Sequence, residues 1–434
     1  MLSRDARPDH SAPTSKAFTA SGASVKRTGL GLAGGLADQA IVSFGNFALN
    51  VTLARSLPAA EYGAYSVVLS FILVLNTLHQ ALVTYPLSVR PAPGGRPLAV
   101  ALLLTPLCAL AFLPLLGVAT ASVGHLGLLP AAGAALVCWQ LQEVVRRALL
   151  TESRHIPLIA LDTLRYLGPL VAVWALRANL AIGGVFLLVA AASALAALPA
   201  ARHLGRNGQA AVSGLRTEMA DHWRLGAPVL GANLLAALST QWFLWLLAWH
   251  DDAPGAAALV ALANVVAVAS PVIFGMENVL VPEVARARDT LSFRDLLRLV
   301  GQRGLVAGGL VGPLFLVILA APTWAARMFY GRDSAYAAHP GELRLLALAY
   351  ACYLAATLFS AALRGYRASG AVFRMQLYPA LFGLTVGSWL TWRLGLGGAC
   401  IASVAAGALR AAVGLVYLLR LRPLTVARPA LASS

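Results

Sequence analysis

The chain has 434 residues, of which 59% are hydrophobic and only 12% charged, about half the charged share of an ordinary soluble domain. A water-soluble globule of that composition lacks the polar side chains to cover its surface and is excluded. The net charge of +16, from 33 Lys and Arg against 17 Asp and Glu, matches the balance of many nucleic-acid binders. Here, however, the basic residues are scattered through short segments between apolar blocks and gather on no polar domain, which argues against that class.

Residues 1–27 carry Arg4, Arg7, Lys16, Lys26 and Arg27 among Pro, Ser and Thr, a composition that builds no core and reads as a disordered basic tail. Twelve apolar blocks follow, at 29–54, 63–84, 97–118, 126–145, 156–176, 179–199, 225–249, 255–281, 299–321, 343–363, 371–391 and 395–419. Each is long enough to cross a hydrocarbon layer of roughly 30 Å as a helix. The first is too long for a signal-peptide core and has no small-residue cleavage pattern behind it, so it reads as a span that stays. The fold expected is an all-α polytopic membrane protein with twelve transmembrane helices.

With the amino terminus in the cytoplasm, 25 Lys and Arg fall in inside segments and six outside (Arg55, Arg177, Arg327, Arg332, Arg344, Arg393), while Arg165 and Arg410 lie within spans. That bias places both termini inside, and the setting expected is a bacterial cytoplasmic (inner) membrane. The organisation expected is a tail at 1–27, a six-helix bundle at 28–199, a basic cytoplasmic linker at 200–224, a second six-helix bundle at 225–420 and a cytoplasmic tail at 421–434. Because six is even, the bundles enter from the same side, related by a pseudo-two-fold axis along the membrane normal. A faint echo supports the repeat: His79-Gln80 and Glu277-Asn278 each precede a Leu/Val step and a Pro, at Pro86 and Pro282.

Cys108, Cys138, Cys352 and Cys400 lie in apolar blocks without CxxC spacing or a neighbouring His, so they read as small core hydrophobes, with no metal site or cofactor expected. The GxxxxGK[ST] phosphate loop is absent, which argues against direct ATP hydrolysis. Trp242, Trp245 and Trp249 share one side of the seventh block and read as interfacial lipid anchors.

Ionisable groups at hydrocarbon depth face a cavity or a partner. Arg410 has no acidic residue within four positions, so its partner comes from another helix or from a ligand. Arg165 can meet Asp162, and Arg146 or Arg147 can meet Glu143, on one helix face. These pairs are either self-neutralised or turned to a cavity. Arg364 and Arg367 lie near a span end and suit either a substrate or the interface. Asp38 sits about ten residues into the first span, as a coupling carboxylate for a proton or sodium ion or as a buried partner. Gln39, Asn46 and Asn50 share a face of that span, and His79, Gln80, Glu277 and Asn278 add polar groups toward other span ends.

Several of these segments together resemble the polysaccharide (O-antigen) flippases of the superfamily that also contains multidrug and toxin extrusion pumps. The matching runs are Ala37-Asp38-Gln39-Ala40 with Asn46, Leu53-Ala54-Arg55-Ser56-Leu57-Pro58 and Glu61-Tyr62-Gly63, Gln142-Glu143-Val144-Val145-Arg146-Arg147, Leu161-Asp162-Thr163-Leu164-Arg165-Tyr166, Glu277 to Pro282, and Leu363-Arg364-Gly365-Tyr366-Arg367. The resemblance implies a two-bundle alternating-access transporter, not an enzyme, that moves a polyprenyl-pyrophosphate-linked oligosaccharide to the outer leaflet, in reach of polysaccharide assembly enzymes. Physics supplies the candidate cargo cations: Arg410, Arg165, Arg146, Arg147, Arg364 and Arg367, since guanidinium pairs its donors with phosphate and stays charged when partly buried. A cation-coupled exporter on the same fold would instead concentrate acids in its cavity. A membrane glycosyltransferase or polymerase would need catalytic acids on a large outside loop, where the segment from Pro322 to Leu343 offers only Asp333, His339 and Glu342.

Overall fold

The structure is a computed structural model and describes residues 21–89, 96–152, 154–176, 180–250, 253–288 and 292–421. The expectations for residues 1–20 and 422–434 lie outside the described residues. Among the described residues the regular structure is entirely helical: α1 Ser21–Ser56, α2 Ala59–Val89, α3 Pro97–Ser122, α4 Leu126–Thr151, α5 His155–Leu176, α6 Ile182–Trp249, α7 Ala253–Ala267, α8 Ser270–Ala287, α9 Phe293–Ala320, α10 Pro322–Tyr330, α11 Pro340–Gly365 and α12 Ser369–Leu419. Among the described residues, eight helices are long and apolar enough to cross a membrane, or nine when the pair α7 and α8, bent by 55°, counts as one span. The chain is therefore a multi-pass membrane protein.

Two departures from the sequence reading have local causes. Residues 21–27, expected in the tail, are helical, because extending an existing helix adds a bond per residue without a new nucleus. The stretch 200–224, expected as a loop, is also helical within α6; it contains no proline, and its five Ala and four Arg are good helix formers. The run nevertheless doubles back. Phe186 packs 5.3 Å from the Tyr65 ring and Trp245 donates to Ser70 on the same helix α2, whereas 59 residues of straight helix would hold the two about 90 Å apart. A second reversal, inside α12, uses Gly395 at φ 56° and ψ −134°, a conformation open to glycine and strained for other residues.

Among the described residues, a π-helical turn or an outright break interrupts four of the twelve apolar blocks. π-helical turns occupy Gln80–Thr84, Thr163–Leu167 and Gly383–Gly387, and the eighth block breaks between α7 and α8. These are the second and fifth blocks of the first six and the second and fifth of the second six, so the irregularities recur with the period of the expected repeat.

One end of the molecule is sealed by contacts between the two halves of the chain. Arg55 donates to the carbonyls of Met328 and Phe329 on α10, and Phe47 meets Phe329 edge-on at 5.5 Å. Tyr62 accepts from Asn264 at 3.2 Å and packs against Tyr336, which contacts Tyr330. Burial pushes the Tyr336 phenol up to about 12, so it stays neutral throughout the physiological range. At Gly63 the helices α2 and α7 come so close that a Cβ would lie 2.2 Å from the Ala253 carbonyl oxygen. Gly63→Val is expected to part the two helices at an overpacking cost of about 1–3 kcal/mol. In a protein free of its own cysteines, maleimide labelling of a cysteine at position 336 should then rise several-fold; unchanged labelling would show that this contact does not hold the seal.

Candidate functional site

Close approach of α1 and α5 sets the first part of the site. A Cβ at Gly45 would lie 2.7 Å from that of Tyr166, so the two helices meet nearly backbone to backbone. Asp38 on α1 is thereby held against Asp162 on α5 and the arginine pair of α4. Arg146 bonds Asp38 and Asp162 at 2.7 Å each and lies 3.5 Å from Glu143, while Gln142 donates to the other oxygen of Asp162 at 3.0 Å. Arg147 lies 3.7 Å from Glu143. Three carboxylates, of which Asp38 and Asp162 are 2% and 0% exposed, thus close on Arg146, one at each guanidinium nitrogen. Arg146 is thus neutralised by protein carboxylates, one of its two sequence readings, while it also borders the first of the cavities described below.

The same cluster explains Arg165. Three residues apart on an α-helix, Asp162 and Arg165 would lie about 60° from one another around the axis; the π-helical turn Thr163–Leu167 widens that angle. Arg165 therefore makes no ion pair with Asp162 and instead lies with its guanidinium 4.3 Å over the Trp139 ring and 5.0 Å from the Tyr166 ring.

Three adjoining cavities run along α1 and α2, two of them also bordered by α4. One, of about 280 Å³, is lined by Gln39, His79, Gln80, Glu143, Arg146 and Arg147. The next, of about 230 Å³, holds Arg165 with Asn46 and Asn50. The largest, about 460 Å³, lies between the halves and is lined by Arg410 with Asn50, Ser70, Gln241, Asn264 and Tyr353 among others. Leu73 borders all three, Trp139 the first two, and Asn50 the last two. The face of Gln39, Asn46 and Asn50 read from the sequence thus fronts this trench. Arg410 is the one charged residue lining the largest cavity; no described carboxylate pairs with it, and its Nε has no hydrogen-bond partner.

The remaining candidates sit elsewhere. Arg364 pairs with Glu277 between α11 and α8, with 44% of its side chain exposed; such a screened pair contributes little stability. Arg367 and Asn278 are exposed and border none of the three cavities. His79 is buried and bonded to Thr105 at 3.0 Å, a satisfied core histidine that also edges the first cavity. Trp242 and Trp245, expected as lipid anchors, instead join helices, donating to Ser388 at 2.7 Å and Ser70 at 2.6 Å; their indole N–H groups need partners when half-buried. Trp249 is 76% exposed. Trp139, Ser70, Tyr350 and Tyr353 escaped the sequence reading, although Tyr350 and Tyr353, three apart in an apolar block, are a visible polar stripe. Among the described residues no group of three His, Cys, Asp or Glu could hold a metal ion, and the described cysteines are free.

No family model and no curated protein matches the sequence. Solved structures do match its fold. An inward-facing multidrug-resistance MATE-family transporter of the MOP superfamily superposes with a TM-score of 0.70 at 15% identity, over 87% of this chain and 94% of that one. The lipid II flippase MurJ, in an inward closed conformation, gives 0.67 at 11% identity over 90% and 87%. An outward-facing MATE-family transporter gives 0.55 at 15% identity over 91% and 94%. The chain has the fold of MOP-superfamily transporters.

Proposed function

We propose that this protein is a transporter that carries a lipid with an anionic, phosphorylated head and attached sugars, of the polyprenyl-pyrophosphate-linked oligosaccharide class, from the cytoplasmic to the outer leaflet. The observation that carries the reading is the charge of the central chamber: a single unpaired guanidinium, Arg410, among hydroxyl and amide groups set in an apolar wall that includes Leu69, Phe243 and Phe274. The fold neighbours include a multidrug transporter and a flippase alike and do not separate the two. A chamber for organic cations calls for carboxylates, and here the buried carboxylates are consumed by Arg146 and turned away from the chamber.

The physical problem is the head. Sugars and diphosphate cannot enter hydrocarbon without partners for their polar groups. The chamber replaces water with hydroxyls and amides for the sugar and with a planar fork of donors for phosphate. Its volume of about 460 Å³ falls in the roughly 300–1,000 Å³ range of small-molecule sites, enough for the head and its first sugars while the lipid tail stays in the bilayer. Twelve crossings in two bundles of six complete the proposal, and the recurrence of broken helices at the second and fifth blocks of each six supports that repeat. With the seal at Gly63, Tyr62 and Arg55 on the outside, as the basic-residue bias orients it, the chamber is closed to the exterior, in keeping with the better superposition on the inward-facing neighbour.

The test is cellular. Cells lacking the gene should accumulate lipid-linked oligosaccharide that externally added glycan-modifying enzymes cannot reach, and wild-type protein should restore access. Normal external exposure in the deleted strain would remove the assignment.

A further inference from the structure

Arg165 is the one arginine among the described residues that is buried outright, at 2% exposure. It has no ion pair with any described carboxylate, and its Nε has no hydrogen-bond partner. The carboxylate next to it in sequence, Asp162, is committed through both oxygens to Gln142 and Arg146. The Trp139 and Tyr166 rings at 4.3 and 5.0 Å offer their negative faces but accept no strong hydrogen bond. A desolvated guanidinium with unused donors is an incomplete arrangement. It lines a cavity of about 230 Å³, several water volumes at about 30 Å³ each, which is too small for an oligosaccharide but ample for a phosphate group and its bridging waters.

We infer that the Arg165 niche is a second anion site, a station for a phosphate-type oxyanion, held by the Arg165 guanidinium with, on its rim, the amide of Asn46 and the second amide N–H of Asn50, whose first is donated to the Asn46 carbonyl at 2.9 Å. The planar donor fork matches the paired oxygens of an oxyanion better than a halide. Trp139 serves as platform: its ring, 4.3 Å from the guanidinium carbon, restricts the Arg165 side chain, so little freedom is lost when an anion arrives. The niche shares Trp139 with the cavity of Arg146 and Arg147, and Asn50 and Leu69 with the chamber of Arg410. It is therefore an intermediate step along one trench. The inference rests on the anionic-cargo reading only for the source of the phosphate, which is either free phosphate or the diphosphate of a lipid in passage.

The test is calorimetric titration of the full-length protein in dodecyl maltoside with inorganic phosphate and diphosphate, with chloride as reference anion. The background is Arg410→Gln, so that the chamber does not contribute. Diphosphate is expected to bind there at least tenfold more tightly than chloride, Arg165→Gln added to that background to weaken it at least tenfold, and Arg165→Lys to fall between. Asn50→Leu, which leaves Arg165 in place, is expected to weaken it several-fold and serves if Arg165→Gln does not fold. Absence of oxyanion binding in the Arg410→Gln protein, or equal binding after Arg165→Gln, overturns the niche. The cargo reading would be untouched by that result, since transport by the wild type decides it. Competition by a polyprenyl diphosphate assigns the oxyanion to cargo, and its failure to compete assigns it to free phosphate.

Discussion

Replacing Arg146 with alanine is expected to cost about 3–5 kcal/mol of stability, the usual penalty for stranding one side of a buried ion pair, and so to leave little properly folded protein in the membrane. Arg146 is 14% exposed and holds Asp38 and Asp162, on two other helices, at 2.7 Å each. Without it, three carboxylates face one another at hydrocarbon depth with only Arg147, 3.7 Å from Glu143, nearby. The loss is read from the melting temperature and the monodisperse yield in detergent. Converting the acids at the same time, as Arg146→Met with Asp38→Asn and Asp162→Asn, should recover most of the stability, because a neutral polar cluster leaves no unpaired charge. Wild-type melting by Arg146→Ala would show that the carboxylates are neutralised by something else.

The sequence made the class of the fold legible because span length and the scarcity of charge are one-dimensional properties: among the described residues each of the twelve apolar blocks is mainly helical. It also made the trench face of α1 legible, since Gln39, Asn46 and Asn50 obey helical periodicity. What it could not carry was the pairing of charges. Helical spacing joins Asp162 to Arg165, yet a single π-helical turn, invisible to a rule of 3.6 residues per turn, separates them and leaves Asp162 to an arginine sixteen residues back. Partners across helices, such as Asp38 with Arg146, depend on the approach of α1 to α5 at Gly45, and nothing local encodes that. For the same reason the indoles of Trp242 and Trp245 read as lipid anchors, since Ser388 and Ser70 are far away in sequence. Arg410 was legible for the opposite cause: with no acid near it in sequence, no local pair could hide it.

Arg410→Ala is expected to lower transport of the phosphorylated lipid by about 10- to 150-fold, which corresponds to the loss of one charge-assisted hydrogen-bonded contact worth about 1.5–3 kcal/mol. Folding should be spared, in contrast to Arg146→Ala, because no described carboxylate depends on Arg410 and its Nε bonds nothing. The two variants therefore separate the roles of buried arginines in this chain, one lost from the membrane and the other present but idle. Arg410→Lys keeps the charge without the paired donors and should fall between wild type and alanine. The measurement is export of glycan in cells that lack the native gene, normalised to the amount of inserted protein. Wild-type export by Arg410→Ala at normal abundance would mean that the cargo head is received elsewhere in the trench. The niche of Arg165 would then be the remaining unpaired cation on its path.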